Sequence, residues 1–160
     1  MALILRKLQP DDKRYFASWW RDLVLIALTS GVHTKITDRQ VDAGFSAMLL
    51  EVEDRHYIIE LNGRVIGHIA LIGRDGGWHE TQIVIGERGN WGRGYGTKSI
   101  RLLLDLARQD GVRKIFLEVR PDNLRAIRAY EKCGFRAVRL CEYPENRNLP
   151  LTLRMEWDGK

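Results

Sequence analysis

A chain of 160 residues, 44% apolar and 29% charged, suits one folded domain over residues 1–160 and excludes a disordered segment or a small disulfide-stapled scaffold. Cys133 and Cys141 are too few for a disulfide framework and too far apart for a CxxC motif, so a reducing, cytoplasmic setting is expected. The 26 basic residues outnumber the 21 acidic ones for a formal +5, and the excess is local. Residues 81–132 carry eleven Lys or Arg against six Asp or Glu, while residues 1–80 carry ten against eleven. A localised anionic partner fits this better than a nucleic-acid coat, for which no zinc finger, RNP-like aromatic pair or basic repeat speaks. The opening MALILRKL has no signal-peptide pattern, and no window approaches a membrane span, so no membrane association is expected.

Residues 3–8 read as a strand, and Asp11 or Asp12 caps a helix with Tyr15, Phe16, Trp19, Trp20, Leu23 and Val24 at helical spacing. Gly31 closes that region. Thr37-Asp38 starts another helix toward Leu50, with Phe45, Met48 and Leu49 on its buried stripe. Arg55–Glu60 and Arg64–Ile72 are strands joined by Asn62-Gly63, the strongest hairpin signal in the chain. After the turn Arg74-Asp75-Gly76-Gly77, Glu80–Ile85 is the next strand.

Five glycines then fall between Gly86 and Gly96, followed by a helix whose face is Ile100, Leu103, Leu104 and Ala107, ending near Asp110-Gly111. Residues 114–119 form a strand that Pro121 stops. Asp122 or Asn123 caps a short helix that ends at Gly134, and Phe135–Cys141 and Leu151–Trp157 are the last strands. The order β, α, α, β, β, β, α, β, α, β, β predicts an α/β (α+β) domain with a mixed sheet covered on both faces.

The segment Trp91-Gly92-Arg93-Gly94-Tyr95-Gly96-Thr97 lies between a strand and a long helix. Closely spaced glycines let N–H groups converge, and the helix start adds unpaired donors and the positive end of its dipole. Phosphate oxygens are the natural guest, although tight turns also produce such spacing. Lys98 follows Thr97 instead of preceding it, which excludes a P-loop, and the loop follows the fourth strand, which disfavours a dinucleotide fingerprint.

This segment resembles motif A of the Gcn5-related N-acetyltransferases, which reads Gln or Arg, two residues, Gly, one residue, Gly or Ala. Trp91 stands in the first position, as in the branch that includes ribosomal-protein N-terminal acetyltransferases, and Gly94 and Gly96 match the glycines. The stretch from Asn123 to Phe135, with Tyr130-Glu131-Lys132-Cys133-Gly134-Phe135, resembles motif B. The resemblance implies the acyl-CoA N-acyltransferase fold, a mixed, twisted seven-stranded sheet with about four helices, and acetyl-CoA as cofactor. It further implies that backbone at Ile83, Val84 and Ile85 meets the pantetheine arm, with a splay close to Ile85-Gly86. Trp91, Gly92, Arg93, Gly94, Tyr95, Gly96, Thr97 and Asn123 would then surround the cofactor. Arg88, Arg93, Lys98, Arg125 and Arg128 are candidates for its further phosphate.

Tyr130 corresponds to the family tyrosine near the cofactor sulfur, a candidate proton donor, although its spacing also fits a buried stripe. Glu80 is the candidate base, with His79 and His33 as alternatives. Asn123 either contacts the pantetheine or caps its helix. His56 and His68 lack metal-like spacing, and no metal is expected. Trp19, Trp20, Phe45 and Trp78 are candidates for an acceptor pocket, and the mildly acidic first half would attract an amine.

The expected function is direct acetyl transfer to a primary amine in a ternary complex. A protein N-terminal amine ranks first and a small polyamine or aminoglycoside second, with a non-catalytic acyl-CoA sensor as the rival class. The resemblance is compatible with a homodimer.

Overall fold

The computed structural model describes residues 2–29 and 35–159, so Gly31 and His33 lie outside the described residues. Seven strands make one sheet: β1 (Leu3–Lys7), β2 (Arg55–Leu61), β3 (Arg64–Gly73), β4 (Trp78–Ile85), β5 (Lys114–Val119), β6 (Arg136–Glu142) and β7 (Leu151–Trp157). Their order is β1-β2-β3-β4-β5-β7-β6, antiparallel throughout except for the β4–β5 pair. The β2–β3 turn is made by Asn62 and Gly63 at φ 51° and 80°, the positive values that a tight hairpin demands.

Among the described residues five α-helices flank the sheet, one more than the sequence suggested: α1 (Lys13–Trp19), α2 (Leu23–Thr29), α3 (Asp38–Leu50), α4 (Tyr95–Gln109) and α5 (Leu124–Lys132). The extra one arises because the first helix breaks after Trp19. Asp22 Oδ1 accepts from the Val24 and Leu25 N–H groups at 3.1 and 3.2 Å and so starts a new helix. Asp12, expected as a cap, is buried and binds the Arg6 guanidinium through both oxygens, at 2.8 and 2.9 Å. Thr37 caps α3 as expected, in a reciprocal pair with Gln40.

Helix α4 buries Ile100, Leu103, Leu104 and Ala107 against one face of the sheet, on Ile59, Ile69, Leu71, Ile115, Leu117 and Met155. Each such aliphatic side chain contributes roughly 2 kcal/mol on burial. Helix α5 adds Ala126, Ile127 and Tyr130 to that cluster. On the other face, Phe16, Trp19, Leu25 and Phe45 from α1, α2 and α3 pack on Ile58, with Val84 at the margin.

The two parallel strands part early. β4 and β5 share only the positions Trp78–Lys114, His79–Ile115 and Glu80–Phe116. Beyond them β4 stays paired to β3 as far as Gly67–Ile85, and β5 to β7 as far as Val119–Leu153. The splay therefore opens after Glu80, five positions before the one expected from the sequence. Each strand keeps its outer partner, so hydrogen bonding is given up only across the gap.

Candidate active site

The gap exposes the edge of one strand. Gly86 N–H bonds Ile66 O at 2.8 Å, and antiparallel alternation then turns the main-chain groups of Val84 and Gly86 toward β3. Ile83 and Ile85 consequently turn theirs into the gap. Of the three expected backbone contacts, Ile83 turns both its main-chain groups and Ile85 its N–H into the gap, while Val84 faces β3. Trp91 Nε1 donates to Ile85 O at 2.7 Å, so the Ile85 carbonyl is already engaged. Gly86 is required here for packing, since a Cβ would lie 1.9 Å from Trp19 Nε1.

The glycine loop continues from this edge into α4. Gly92 and Gly94 sit at φ 73° and 83°, with Gly94 as the helix N-cap and no side chain capping the first turn. No acidic residue stands in that turn either. A Cβ at Gly96 would meet nothing within 4 Å. The Tyr95, Gly96 and Thr97 N–H groups thus head a fifteen-residue helix beside open space, which suits an anion. Tyr95 packs its ring on the α4-side cluster, and the Thr97 carbonyl is met by Cys133 Sγ at 3.5 Å. Arg93 lines a separate hollow of about 760 Å³ between the β2–β3 turn and the loop.

Helix α5 closes the same side. Asn123 Oδ1 accepts from Ala126 N–H at 3.3 Å, so its side chain caps the helix. Arg125 lies over the Trp91 ring, 5.0 Å from its centroid, and ties motif B to motif A. Tyr130 is half-buried, edge-on to Phe135, and burial then the charge of Cys133 push its phenol up to about 12. It therefore stays protonated at neutral pH.

The opposite side of the gap carries carboxylates. Glu80 shares its side with Gln82 and Val84; Arg74 holds its Oε2 at 2.6 and 2.9 Å, and Gln82 reaches Oε1 at 3.4 Å. Glu118 on β5 went unrecognised in the sequence as a site residue. Its Oε1 accepts from Tyr143 Oη at 2.5 Å and Thr152 Oγ1 at 2.7 Å. Burial raises this carboxyl, but Tyr143, Thr152 and Cys141 as donors, with the charge of Arg154, outweigh that and hold it below the usual range. Tyr143 is pushed up to about 12, first by its bond to Glu118, then by burial and by the charges of Glu118, Cys141 and Glu80. The charges of both carboxylates thus bear on Tyr143. The only sequence signal for Glu118 was a lone acid in the buried run KIFLEV.

Other candidates are drawn elsewhere. His79 lies on the α4 side, away from Glu80, and its Nδ1 is buried with no hydrogen-bond partner. Arg88 is committed to Asp22 at 2.5 Å. Trp19 and Phe45 are core, while Trp78 packs against Phe116 under Arg154. His56 and His68 meet across β2 and β3 at 3.1 Å.

A sheet opened between its parallel strands, with uncapped N–H groups at the start of the following helix, leaves a strand edge and an anion-suited helix end side by side. Residues 10–135 match the acetyltransferase (GNAT) family, and the chain belongs to it. It is 32% identical over 148 residues to aminoglycoside N(6')-acetyltransferase type 1 of Klebsiella pneumoniae, covering 84% of this chain and 74% of that one. The Serratia marcescens protein of the same name matches equally. A solved structure of AAC(6')-Ib with ribostamycin and coenzyme A superposes with a TM-score of 0.84 at 25% identity, over 99% of this chain and 94% of that one. Spermidine N-acetyltransferase from Vibrio cholerae, solved with coenzyme A and spermine, shares the fold with a TM-score of 0.85 at 22% identity, over 98% and 95%.

Proposed function

We propose that the chain transfers acetyl from acetyl-CoA to a primary amine of a small polycationic molecule, an aminoglycoside or a polyamine. This reverses the order expected from the sequence, where a protein N-terminal amine came first. Two relatives that share 84% of the chain are aminoglycoside N-acetyltransferases. The observation that carries the reading is Glu118, a half-buried carboxylate met by neutral donors from Tyr143 and Thr152. An ammonium group is the natural complement to such a charge.

The cofactor, when bound, supplies an activated thioester carbonyl and a thiolate leaving group. The chain's own part is to hold and to move protons. Free N–H groups at the start of α4 and main chain at Ile83 and Ile85 suit its phosphates and amides. Tyr130, protonated and set on the α5 side, serves as the proton donor. Glu118 holds a charged amine of the acceptor, while Glu80 Oε1, met only weakly by Gln82, can take a proton from the reacting one. Replacing Glu118 with Gln keeps the shape and removes the charge. The amine KM should rise about tenfold, with kcat and acetyl-CoA affinity held. An unchanged amine KM in steady-state assays would sink the assignment.

A further inference from the structure

Helix α2 is six apolar residues and a final threonine, too short to persist alone in water, and it leaves Leu23 and Val24 exposed. Leu25 anchors it among Phe16, Trp19 and Phe45, on the face that carries Glu80 and Glu118. Its two ends are tied to different strands of the gap. At its start, Arg88, three residues past β4, donates to Asp22 Oδ1 at 2.5 Å, the atom that also caps the helix. At its last turn, Arg120, directly after β5, donates through Nη1 to Ala27 O at 2.9 Å while Nε holds Asp122 at 3.3 Å. An anion at the helix start and a cation at an end carbonyl both match the helix dipole.

We propose that Arg120 and Arg88 are positioning residues that hold α2 across the diverging ends of β4 and β5 as a wall of the acceptor side. The inference rests on the acetyl-transfer reading for what the wall encloses, and on the contacts alone for what holds it. Neither arginine touches a reacting atom in this scheme. Each acts through the helix: without Arg120 the Ala27 carbonyl in the last turn of α2 loses its cation, and without Arg88 the Asp22 cap loses its tether. The exposed Arg88–Asp22 pair is the weaker anchor and Arg120 the stronger.

The test compares wild type with Arg120→Gln, Arg88→Gln and Arg88→Lys. Amide hydrogen exchange of the free chain reads the helix, and steady-state kinetics with spermidine and kanamycin read the wall. Exchange over residues 23–29 should quicken about tenfold in Arg120→Gln and about twofold to threefold in Arg88→Gln. Arg88→Lys, which still reaches Asp22, should restore it. The amine KM should rise by matching factors, while kcat and calorimetric acetyl-CoA affinity hold. Unchanged exchange in α2, or exchange that quickens equally throughout the chain, would overturn the anchoring. Quicker exchange with an unchanged amine KM would overturn the wall. A wild type that consumes neither amine, yet shows the exchange pattern, refutes the acetyl-transfer reading and supports the anchors.

Discussion

His68 on β3 stands edge-on to Phe16 at 4.9 Å and flat against His56 at 5.3 Å. Burial, and then the charge of His56, hold its imidazole down to about 3, against 6.5 for the free side chain. Acidification is the perturbation. Below pH 6.5 the unfolded chain takes a proton that the folded one refuses until about pH 3. Stability is therefore full above the unfolded value and drains as pH falls toward the folded one. At about pH 5, roughly 1.5 units below the unfolded value, the loss is about 2 kcal/mol. His56, also held down by burial although Asp54 and Glu51 oppose it, adds in the same direction. Urea unfolding of wild type and His68→Gln at about pH 7 and about pH 5 isolates the effect. Wild type should lose about 2 kcal/mol more than the variant between the two conditions. A variant that loses as much as wild type would refute the reasoning.

Gly96→Asp places a carboxylate at the start of α4 in open space, so the thermal midpoint should hold while calorimetric acetyl-CoA affinity falls at least about tenfold. Unchanged affinity would remove the nest from the site. Tyr130→Phe should lower kcat about a hundredfold without changing acetyl-CoA binding. Because the phenol is held at about 12, any Tyr130-dependent loss of kcat as pH rises should begin only above about pH 10; an earlier loss would contradict the raised phenol, and an unchanged kcat in Tyr130→Phe would contradict its role as donor.

Local chemistry was legible in the sequence wherever neighbours along the chain decide the outcome. The Asn62-Gly63 hairpin, the Thr37–Gln40 cap, the α4 stripe and the left-handed Gly134 at φ 95° are of this kind. The early splay was not, because pairing between β4 and β5 depends on which partner each strand keeps on its far side. Glu118 was passed over because its donors stand 25 and 34 residues away and converge only once β5, β6 and β7 are side by side. His56 and His68, set aside for lacking metal-like spacing, were not paired with each other for the same reason: twelve residues apart, they meet through register and not through helical spacing. Trp91 could be placed in its motif from the sequence, but not the bond that its indole N–H donates to the Ile85 carbonyl, which needs the turn between them folded. The break at Asp22 did carry a signal, a cap residue before an apolar run, which the strong aromatic spacing of Tyr15 to Trp20 obscured.

The acceptor assignment is tested most directly by competition. Wild-type chain is given acetyl-CoA with equal amounts of kanamycin, spermidine and a peptide with a free N-terminal amine, and the acetylated products are resolved by mass. Acetyl should appear on kanamycin or spermidine, and coenzyme A release should match it in amount. Acetyl found chiefly on the peptide, or coenzyme A released with no acetylated amine, would contradict a site built around Glu118 for small polycationic acceptors.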